Sequence, residues 1–378
     1  MRVTVAGLLL VTALASSSAA AQPRGLFRDP QDGRFDVSEF LLEKKGVLPI
    51  PIIITEPALG YGGGLALAFF SQSLGERVSA GTGRLVPPTI AVAGGFYTSD
   101  DSYGGVLGLF HPFRRDQFRY LGALGGASLK LDFYGFDPDS PLSDDPVAYT
   151  VEPRFFLQRL QGRLGKTPLF VGAQYLYVDA KTTFGVDLPA EIPSRDLKVK
   201  VGGLGTSLEL DTRDNLLDAR RGMDILVDAM WYGAAFGGDE SFGKYQVQGL
   251  FYWQPSVRWG YGLRVDARAT SSEAPFWYKP YLSMRGLPAL KYANDVTLLG
   301  EAELRYSIDA RWTLLGFGGG GGAGESLGDV GDGSAAAAGG VGFRYLVARQ
   351  LGLGSGLDFA FGPDGEFAVY IQMGAAWR

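Results

Sequence analysis

The sequence predicts an all-β protein, a transmembrane antiparallel β-barrel of about 16 strands behind an N-terminal signal peptide. Three observations predict this class. Apolar and polar side chains alternate with a two-residue period from about residue 58 to the end, and helical periodicity is nearly absent. The alternating segments also have the length of about ten residues that a tilted strand needs to cross a bilayer.

The first 21 residues have the features of an export signal. Arg2 is followed by a short apolar run from Val3 to Leu14, and Ala19-Ala20-Ala21 forms a small-x-small cleavage site. The run is too short for a transmembrane helix, which needs about 20 residues, and no later window resembles one. An exported chain without such helices crosses a membrane only as a closed barrel, because open sheet edges cannot lie in lipid. We therefore expect a location in the bacterial cell outer membrane, with mature residues from Gln22.

The composition excludes several classes of function. The absence of cysteine excludes a disulfide framework, a thiolate metal site and a lipid-anchored cysteine. The formal net charge of −5 argues against a nucleic-acid partner, because nucleic-acid binders normally carry a basic patch. We expect no cofactor and no metal, and outer-membrane lipid as the surrounding partner.

The polar face of the alternation predicts which residues line the barrel lumen. Over 257–268, apolar and aromatic residues from Val257 to Ala267 share one face, while charged residues and glycines share the other. Aromatic residues near the segment ends fit interfacial girdles, and charges of both signs fit a water-filled or salt-bridged lumen rather than the core of a soluble sandwich. The predicted lumen-lining charges are Arg258, Arg264, Asp266, Arg268, Arg305 and Arg344.

Sixteen segments carry the alternation, an even number as bacterial barrels require. They are 58–70, 87–98, 102–112, 117–128, 128–136, 146–159, 167–180, 196–211, 221–232, 242–253, 258–269, 296–307, 311–320, 337–347, 353–362 and 366–377. The split near residue 128 leaves an alternative of 14 or 15 visible strands with 50–55 as an extra one.

Three segments follow from this reading of the chain. Residues 1–21 are the signal peptide, 22–49 a short periplasmic segment and 50–378 the barrel. Within the periplasmic segment, Phe35 to Lys45 predicts a short helix closed by Gly46. Residues 270–295 form the longest loop between strands.

Four stretches in the C-terminal half form an ordered set of motifs. They are Asp211-Thr212-Arg213-Asp214-Asn215 with Arg221-Gly222, Met284-Arg285-Gly286-Leu287, Gly300 to Tyr306, and Gly340 to Tyr345 with Gly356 to Phe359. Together they resemble the BamA/TamA-type outer-membrane protein assembly superfamily, also called the bacterial surface antigen family. In this resemblance Asp211, Arg213, Asp214 and Gly222 match a strand–turn–strand signature. The match covers about 211–378, and the N-terminal half fits only a generic barrel.

The resemblance implies that the long loop folds into the barrel, where its arginine meets acidic groups on the inner wall. That arginine is Arg285, and Gly286 beside it permits an unusual backbone angle. The alternation independently places Glu301, Glu303 and Asp358 on the lumen face. Since a guanidinium engages carboxylates bidentately, these five residues are the predicted lumenal loop lock. The alternative is an Arg285 solvated on an exterior loop.

The sequence also departs from the family pattern. Leu287 stands where the family has an aromatic residue, and Leu216 and Ala219 stand where it usually has prolines. About thirty residues separate Gln22 from the first predicted strand, which is too few for the periplasmic POTRA modules of family members that insert or export proteins. We therefore expect a short member without POTRA domains, with a separate periplasmic protein as candidate partner, and the family resemblance implies a monomer.

Catalysis is not expected. The one histidine, His111, lies beside a predicted turn, and Gly165-Lys166-Thr167 lacks the first glycine of a phosphate-binding loop. Three functions remain open: handling of protein or lipid at the outer membrane, a gated or passive pore, and a structural barrel with a sealed lumen. The species that is moved or inserted is not readable from the sequence.

Overall fold

The computed structural model describes residues 27–43, 46–71, 89–136, 140–187, 189, 192–215, 218–271, 273–331, 334–374 and 377. In this part of the chain sixteen strands form one antiparallel sheet, in which each strand pairs with its neighbours in sequence. This arrangement confirms the predicted all-β class and the strand number. The predicted signal peptide, residues 1–21, lies outside the described residues.

One short helix, α1 (Ser38–Glu43), precedes the sheet. The strands are β1 (Gly46–Ile54), β2 (Gly62–Phe70), β3 (Ile90–Thr98), β4 (Tyr103–Phe113), β5 (Phe118–Phe133), β6 (Val147–Arg163), β7 (Leu169–Phe184), β8 (Lys198–Asp211), β9 (Gly222–Tyr232), β10 (Gly243–Trp253), β11 (Trp259–Thr270), β12 (Val296–Ser307), β13 (Trp312–Gly324), β14 (Ser334–Ala348), β15 (Leu353–Phe361) and β16 (Phe367–Met373). Over the described residues, every helix is too short or too polar to span a bilayer.

Two details of the predicted strand set are wrong, and they cancel in the count. The segments 117–128 and 128–136 are one continuous strand, β5, which keeps a constant register with β6 on both sides of residue 128. The first strand, β1, begins at Gly46 and includes the alternative segment 50–55. The predicted helix at 35–45 begins later, at Ser38, and is described as far as Glu43, while residues 44 and 45 lie outside the described residues.

The outer face of the sheet is apolar. Large apolar side chains are exposed there, although exposure of such side chains to water is unfavourable. Examples are Leu65, Phe69, Leu107, Leu160, Val247, Leu304 and Ile371. A continuous exterior of this kind, around strands whose other face carries charges, is the inverted pattern of a membrane barrel.

Aromatic pairs mark both ends of this apolar surface. At one end, Trp253 stacks on Tyr261 with ring centroids 5.3 Å apart. At the other end, the Phe361 and Phe367 centroids lie 5.2 Å apart. These pairs match the interfacial girdles expected from the sequence.

The two ends of the barrel differ in their connections. One end carries the turns 114–117, 164–168, 212–221, 254–258, 308–311 and 349–352, and we call it the short-turn end. The connection 71–89 also belongs to it, and residues 72–88 lie outside the described part. The opposite end, the long-loop end, carries the connection 271–295 between β11 and β12. An even number of strands places the start of β1 and the end of β16 at the short-turn end.

An apolar cluster lies inside the barrel near the long-loop end. Its buried members come from strands β5 to β9 and from three connections at the long-loop end. They are Phe133, Tyr149, Val151, Val178, Ala180, Ile192, Val201, Met230, Tyr232, Phe242, Ala274 and Phe276. Because fully burying a large apolar side chain contributes about 1.5–3 kcal/mol, this cluster gives the long-loop end a solid core.

Candidate functional site in the barrel lumen

The loop 271–295 folds inward and crosses the lumen. Its first part packs on the apolar cluster, where the ring of Phe276 lies 5.6 Å from Phe133 and 5.3 Å from Tyr149, centroid to centroid. The backbone N–H of Phe276 donates to Asp196 at 3.0 Å, and the Tyr278 and Tyr232 hydroxyls are 2.6 Å apart. The loop is thus anchored to one side of the barrel before it reaches Arg285.

Arg285 lies in a cradle of three carboxylates on the inner wall. Its Nε donates to Glu301 at 2.9 Å, its Nη1 to Asp358 at 2.7 Å and its Nη2 to Glu303 at 3.0 Å. The guanidinium also lies over the Phe317 ring, 3.7 Å from the centroid. Arg285 and its three partners are all buried. The predicted lock residues are therefore in direct contact.

Each carboxylate of the cradle has a second donor. Asp358 accepts from Arg344 at 2.6 and 2.9 Å, and Glu303 accepts from Arg305 at 2.7 Å. Glu301 accepts from the Trp377 indole N–H at 2.7 Å. Three guanidinium groups therefore face three carboxylates, and the network continues to Arg264, 3.8 Å from Glu301, and to Asp218, 3.0 Å from Arg305. A buried charge is tolerated when it is paired and hydrogen-bonded in this way, and the removal of one member leaves an uncompensated charge.

Gly286 has the backbone conformation that the sequence anticipated. Its φ is +92°, which lies in a backbone region that residues other than glycine rarely adopt. Its N–H donates to the Tyr370 hydroxyl on β16 at 3.1 Å. A β-carbon at this position would lie 3.1 Å from the Ala338 Cβ and 3.2 Å from the Phe361 carbonyl oxygen. Glycine thus allows the loop to turn close to the wall.

The loop also spans the margins of the sheet. Beyond Gly286, the N–H of Ala289 is 3.4 Å from Glu56, in the β1–β2 connection. Lys291 donates to Glu366, in the β15–β16 connection, at 2.8 Å. Because β1 and β16 are the two margins of the sheet, the loop holds both of them at the long-loop end.

The other predicted lumen charges have different positions. Arg264 and Arg268 both bind Asp266, at 3.0 Å and 2.8 Å, and Arg264 also donates to the Ser283 carbonyl at 2.8 Å. Arg258 is a correction: it lies exposed in the turn before β11, which begins at Trp259. Residue 258 precedes the first residue of the strand, where the two-residue alternation no longer applies, and Arg258 therefore does not line the lumen.

The strand–turn–strand residues order the turn between β8 and β9. Asp211 is fully buried and accepts from Arg213 Nε at 3.0 Å, and Arg213 also pairs with Asp224 at 2.9 Å. Asp214 accepts from the N–H groups of Arg220 and Arg221 at 3.0 and 3.2 Å. Gly222 begins β9 with φ of +97°. These contacts give the signature a local structural role at the short-turn end.

Two residues of the cradle's surroundings were missed in the sequence. The predicted segment 366–377 extends the alternation to Trp377, but β16 ends at Met373, and Trp377 is buried beside Glu301. Asp218, which pairs with Arg305 at 3.0 Å, lies in a turn where alternation gives no information. Parity did place Tyr370 on the lumen face.

The segment before α1 forms a second charged cluster at the short-turn end. Arg311, in the β12–β13 turn, is fully buried and binds Asp29 at 2.6 Å, Asp32 at 2.6 Å and Asp36 at 2.5 Å. Arg349, in the β14–β15 turn, also binds Asp29. The hydrogen bond from Arg349 holds the pKa of Asp29 at about 2. We call this group the N-terminal clamp.

The decoys for catalysis lie apart from the lumenal site. His111, on β4, has its Nδ1 2.6 Å from the Thr89 hydroxyl and its ring stacked on Phe113. Lys166 lies exposed in the β6–β7 turn. Among the residues that the structure describes, no group of three or more His, Cys, Asp or Glu side chains has the arrangement of a metal site.

The fold and the lumenal loop together define a class: a membrane-spanning β-barrel with an inward-folded loop attached to its wall by an arginine. No protein-family model and no curated protein sequence matches the chain. Among solved structures, the chain is similar to BamA from Haemophilus ducreyi lacking POTRA domains 1–3. Their TM-score is 0.59 at 11% identity, over 88% of this chain and 70% of that one.

Two further barrels are similar. CdiB from Escherichia coli gives a TM-score of 0.60 at 12% identity over 86% of this chain, and CdiB from Acinetobacter baumannii gives 0.55 at 10% over 86%. The chain spans 61% and 59% of those two proteins. At these identities the likeness shows the barrel fold. The resemblance found in the sequence is thus confirmed at the level of fold, and this fold supports the outer-membrane location.

Proposed function

We propose that this protein is an outer-membrane barrel of the BamA/TamA type that handles protein or lipid at the membrane, with its lumen kept closed by the loop 271–295. The observation that carries the proposal is the Arg285 cradle. A loop that only covered the outside of the barrel would not place a guanidinium within 3.0 Å of three buried carboxylates. The likeness to BamA and CdiB agrees with this proposal.

The proposal includes a direction in the membrane. The short-turn end faces the periplasm and the long-loop end faces the exterior, as in bacterial outer-membrane barrels generally. The N-terminal clamp then holds residues 27–37 at the periplasmic mouth. A separate periplasmic protein is the proposed partner at this mouth, and the barrel acts as a monomer.

The first test is the ion conductance of the refolded mature protein in a planar bilayer. We expect wild-type protein to be nearly silent and Arg285→Ala to give noisy, frequent openings, because the variant leaves three carboxylates without their shared cation and frees the loop. Arg258→Ala is the matched control. It removes an exposed arginine from a turn and should leave the recordings unchanged.

The same recordings distinguish the second candidate, a gated or passive pore. The large lumen and its charges favour this alternative over a featureless scaffold. Large, steady currents in the wild-type protein would overturn the closed-barrel proposal in favour of the pore. Equal behaviour of wild type and Arg285→Ala would show that Arg285 does not hold the loop.

A further inference from the structure

The lumen contains a cavity of about 730 Å³ beneath the loop 271–295. This volume lies within the range of about 300–1,000 Å³ that small-molecule sites occupy. One wall, formed by β5, β6 and β7, is apolar and consists of Leu129, Leu131, Val151, Phe155, Leu176 and Val178. The wall formed by β10 and β11 carries Lys244, Gln246, Arg264 and Arg268. The cavity is therefore amphipathic.

Lys244 differs from the other cations that line this cavity. Arg264 and Arg268 bind Asp266, Lys279 binds Asp295, and Arg285 occupies its own cradle. In the described part of the chain, Lys244 alone among them has no carboxylate within 4.0 Å. Its Nζ instead lies 4.2 Å from the centroid of the Tyr278 ring, on the inward-folded loop.

Among the described residues, the nearest charges leave Lys244 without a carboxylate in direct contact. Asp228, diagonally placed on β9, accepts two hydrogen bonds from Gln174 at 2.6 and 2.7 Å. Arg268, diagonally placed on β11, adds positive charge to the same wall. A half-buried ammonium whose carboxylate neighbour is not in direct contact is only partly stabilised, and an anion that reached it would gain a charge-assisted contact.

We propose that the cavity binds an amphiphile with one acyl chain and an anionic headgroup, with the headgroup on Lys244 and the chain along the β5–β7 wall. The walls supply both halves of such a ligand: a continuous apolar surface and one unpaired cation. The site gives the proposed lipid handling its substrate class and in that respect rests on the proposed function, but its occupancy is measurable without it.

Two acidic groups, Glu56 and Glu301, also line the cavity, and Glu301 is paired with Arg285 at 2.8 Å whereas Glu56 has no such partner among the described residues. Burial raises the pKa of this carboxyl above its usual value, which favours the neutral form. Its backbone partner is the N–H of Ala289, at the end of the loop that bridges the margins of the sheet. Glu56 therefore opposes an anionic headgroup less than an exposed glutamate would.

The test is photo-crosslinking of the folded mature protein in phosphatidylcholine nanodiscs. The probe is a 16-carbon fatty acid that carries a diazirine near the chain end and an alkyne for enrichment, and the labelled residues are mapped by mass spectrometry. We expect label on Leu129, Val151 and Leu176 on the lumen wall, besides the background on lipid-facing residues such as Leu160. Dodecanoate should displace the lumenal label, whereas dodecanol, which lacks the charge, should displace it poorly.

Variants separate the headgroup contact from general binding. Lys244→Gln should weaken displacement by dodecanoate about tenfold, since a hydrogen bond to a charged group contributes about 1.5–3 kcal/mol. Lys244→Arg should retain it, and the exposed Lys198→Gln is the matched control. Val151→Trp, which fills the cavity, should remove only the lumenal label. Heat-modifiable mobility on gels verifies folding. If Lys244→Gln does not fold, the comparison of dodecanoate with dodecanol on the wild-type protein tests the headgroup contact.

Two outcomes would overturn the site: label confined to lipid-facing residues, or lumenal label that dodecanol displaces as well as dodecanoate. These outcomes are distinct from a failure of the proposed function. A barrel that conducts steadily yet shows charge-dependent lumenal label would keep the site and lose the closed-barrel role. A silent barrel without lumenal label would do the reverse.

Discussion

Arg285 binds carboxylates from two strands that are far apart in the sequence. Glu301 and Glu303 lie two residues apart on β12, so strand parity directs both into the lumen, whereas Asp358 reaches the same guanidinium from β15. The ion pairs are buried, and loss of one partner from such a pair costs about 3–5 kcal/mol because the remaining charge stays desolvated. Arg285 is therefore a structural anchor, and its contribution depends on the position of the loop that carries it.

Gly286 tests the geometry of that anchor without changing any charge. With φ at +92°, Gly286→Ala should lower the free energy of unfolding by about 1–2 kcal/mol, since L-residues with a side chain disfavour this region. The added methyl group would also crowd Ala338 and Phe361, each within 3.2 Å of it. Urea titration of the folded barrel, followed by tryptophan fluorescence, measures the shift in the unfolding midpoint.

Gly331→Ala provides the comparison for this measurement. Gly331 lies in the β13–β14 connection, its φ is not positive, and a β-carbon there would have no neighbour within 4 Å. It should change stability little. Equal midpoints for the two alanine variants would mean that the loop does not need the glycine conformation at Gly286.

At the residue scale, the sequence predicted which face of the sheet a side chain lies on wherever the strand is regular. Glu301, Glu303 and Asp358 face the lumen because their strands are regular, and the resemblance to a known loop motif supplied Arg285. Arg258 and Trp377 were misplaced because both lie just outside a strand, where the two-residue period no longer applies. For Lys244, the lack of a directly bound carboxylate depends on the side chains of β9 and β11, which sequence spacing does not reveal.

At the scale of elements, the segment 27–37 behaves as an attached strap and not as a free tail. The N–H of Val37 donates to the Val347 carbonyl at 2.8 Å, and the Tyr345 hydroxyl donates to the Phe35 carbonyl at 2.8 Å. The N-terminal clamp adds charged contacts between residues separated by 282 positions in the chain. Contacts at such separation leave no local pattern, which explains why the clamp was not predicted.

The clamp should respond to acid. The pKa of Asp29 is about 2 when the segment is docked, mainly because of the hydrogen bond from Arg349, against about 3.9 for a free aspartate. The docked form binds fewer protons, so its stabilisation is complete above about pH 4 and is lost as pH falls toward about 2. A fluorophore on Gln31→Cys, in a chain that otherwise lacks cysteine, should keep high anisotropy to about pH 4 and lose it below.

Two arginine variants verify the origin of this transition. Arg311→Gln should release the segment at every pH, because it removes the cation that Asp29, Asp32 and Asp36 share. Arg34→Gln should have little effect, since its pair with Asp309 is substantially exposed and exposed pairs contribute about 0–1 kcal/mol. A label that remains immobile in Arg311→Gln would show that the clamp is not what holds the segment.

The first strand shows why a strand can lack the two-residue alternation of apolar and polar residues. β1 reads Gly-Val-Leu-Pro-Ile-Pro-Ile-Ile-Ile, an almost wholly apolar run in which no polar face alternates. It nevertheless pairs along its whole length with β2. Pro49 and Pro51 lie two residues apart and cannot donate, so their nitrogens must point away from β2, toward the free margin. Prolines are typical of edge strands, and this one borders the seam with β16.

At the scale of the whole molecule, the strand number was predicted correctly through two opposite errors. The predicted split near residue 128 falls where Ala127 and Ser128 lack a partner on β6, but the ladder resumes at Leu129 in the same register. The omitted β1 compensated for this split. Fold class survives such errors because the exterior pattern is repeated in every strand, whereas the lumenal contacts each depend on a single loop or turn.

The direction of the barrel in the membrane is the remaining global prediction. The short-turn end carries the N-terminal clamp, and the long-loop end carries the loop that enters the lumen, so only one orientation puts the candidate periplasmic contacts in the periplasm. Single cysteines test this cleanly in a chain without native cysteine. Leu327→Cys, 67% exposed in the β13–β14 connection, should react with an impermeant maleimide in intact cells. Lys166→Cys, exposed in the β6–β7 turn, should react only after the outer membrane is permeabilised. The opposite labelling would show that the barrel has the reverse orientation, with the N-terminal clamp outside the cell. It would then remove the physical basis for a periplasmic partner at that mouth.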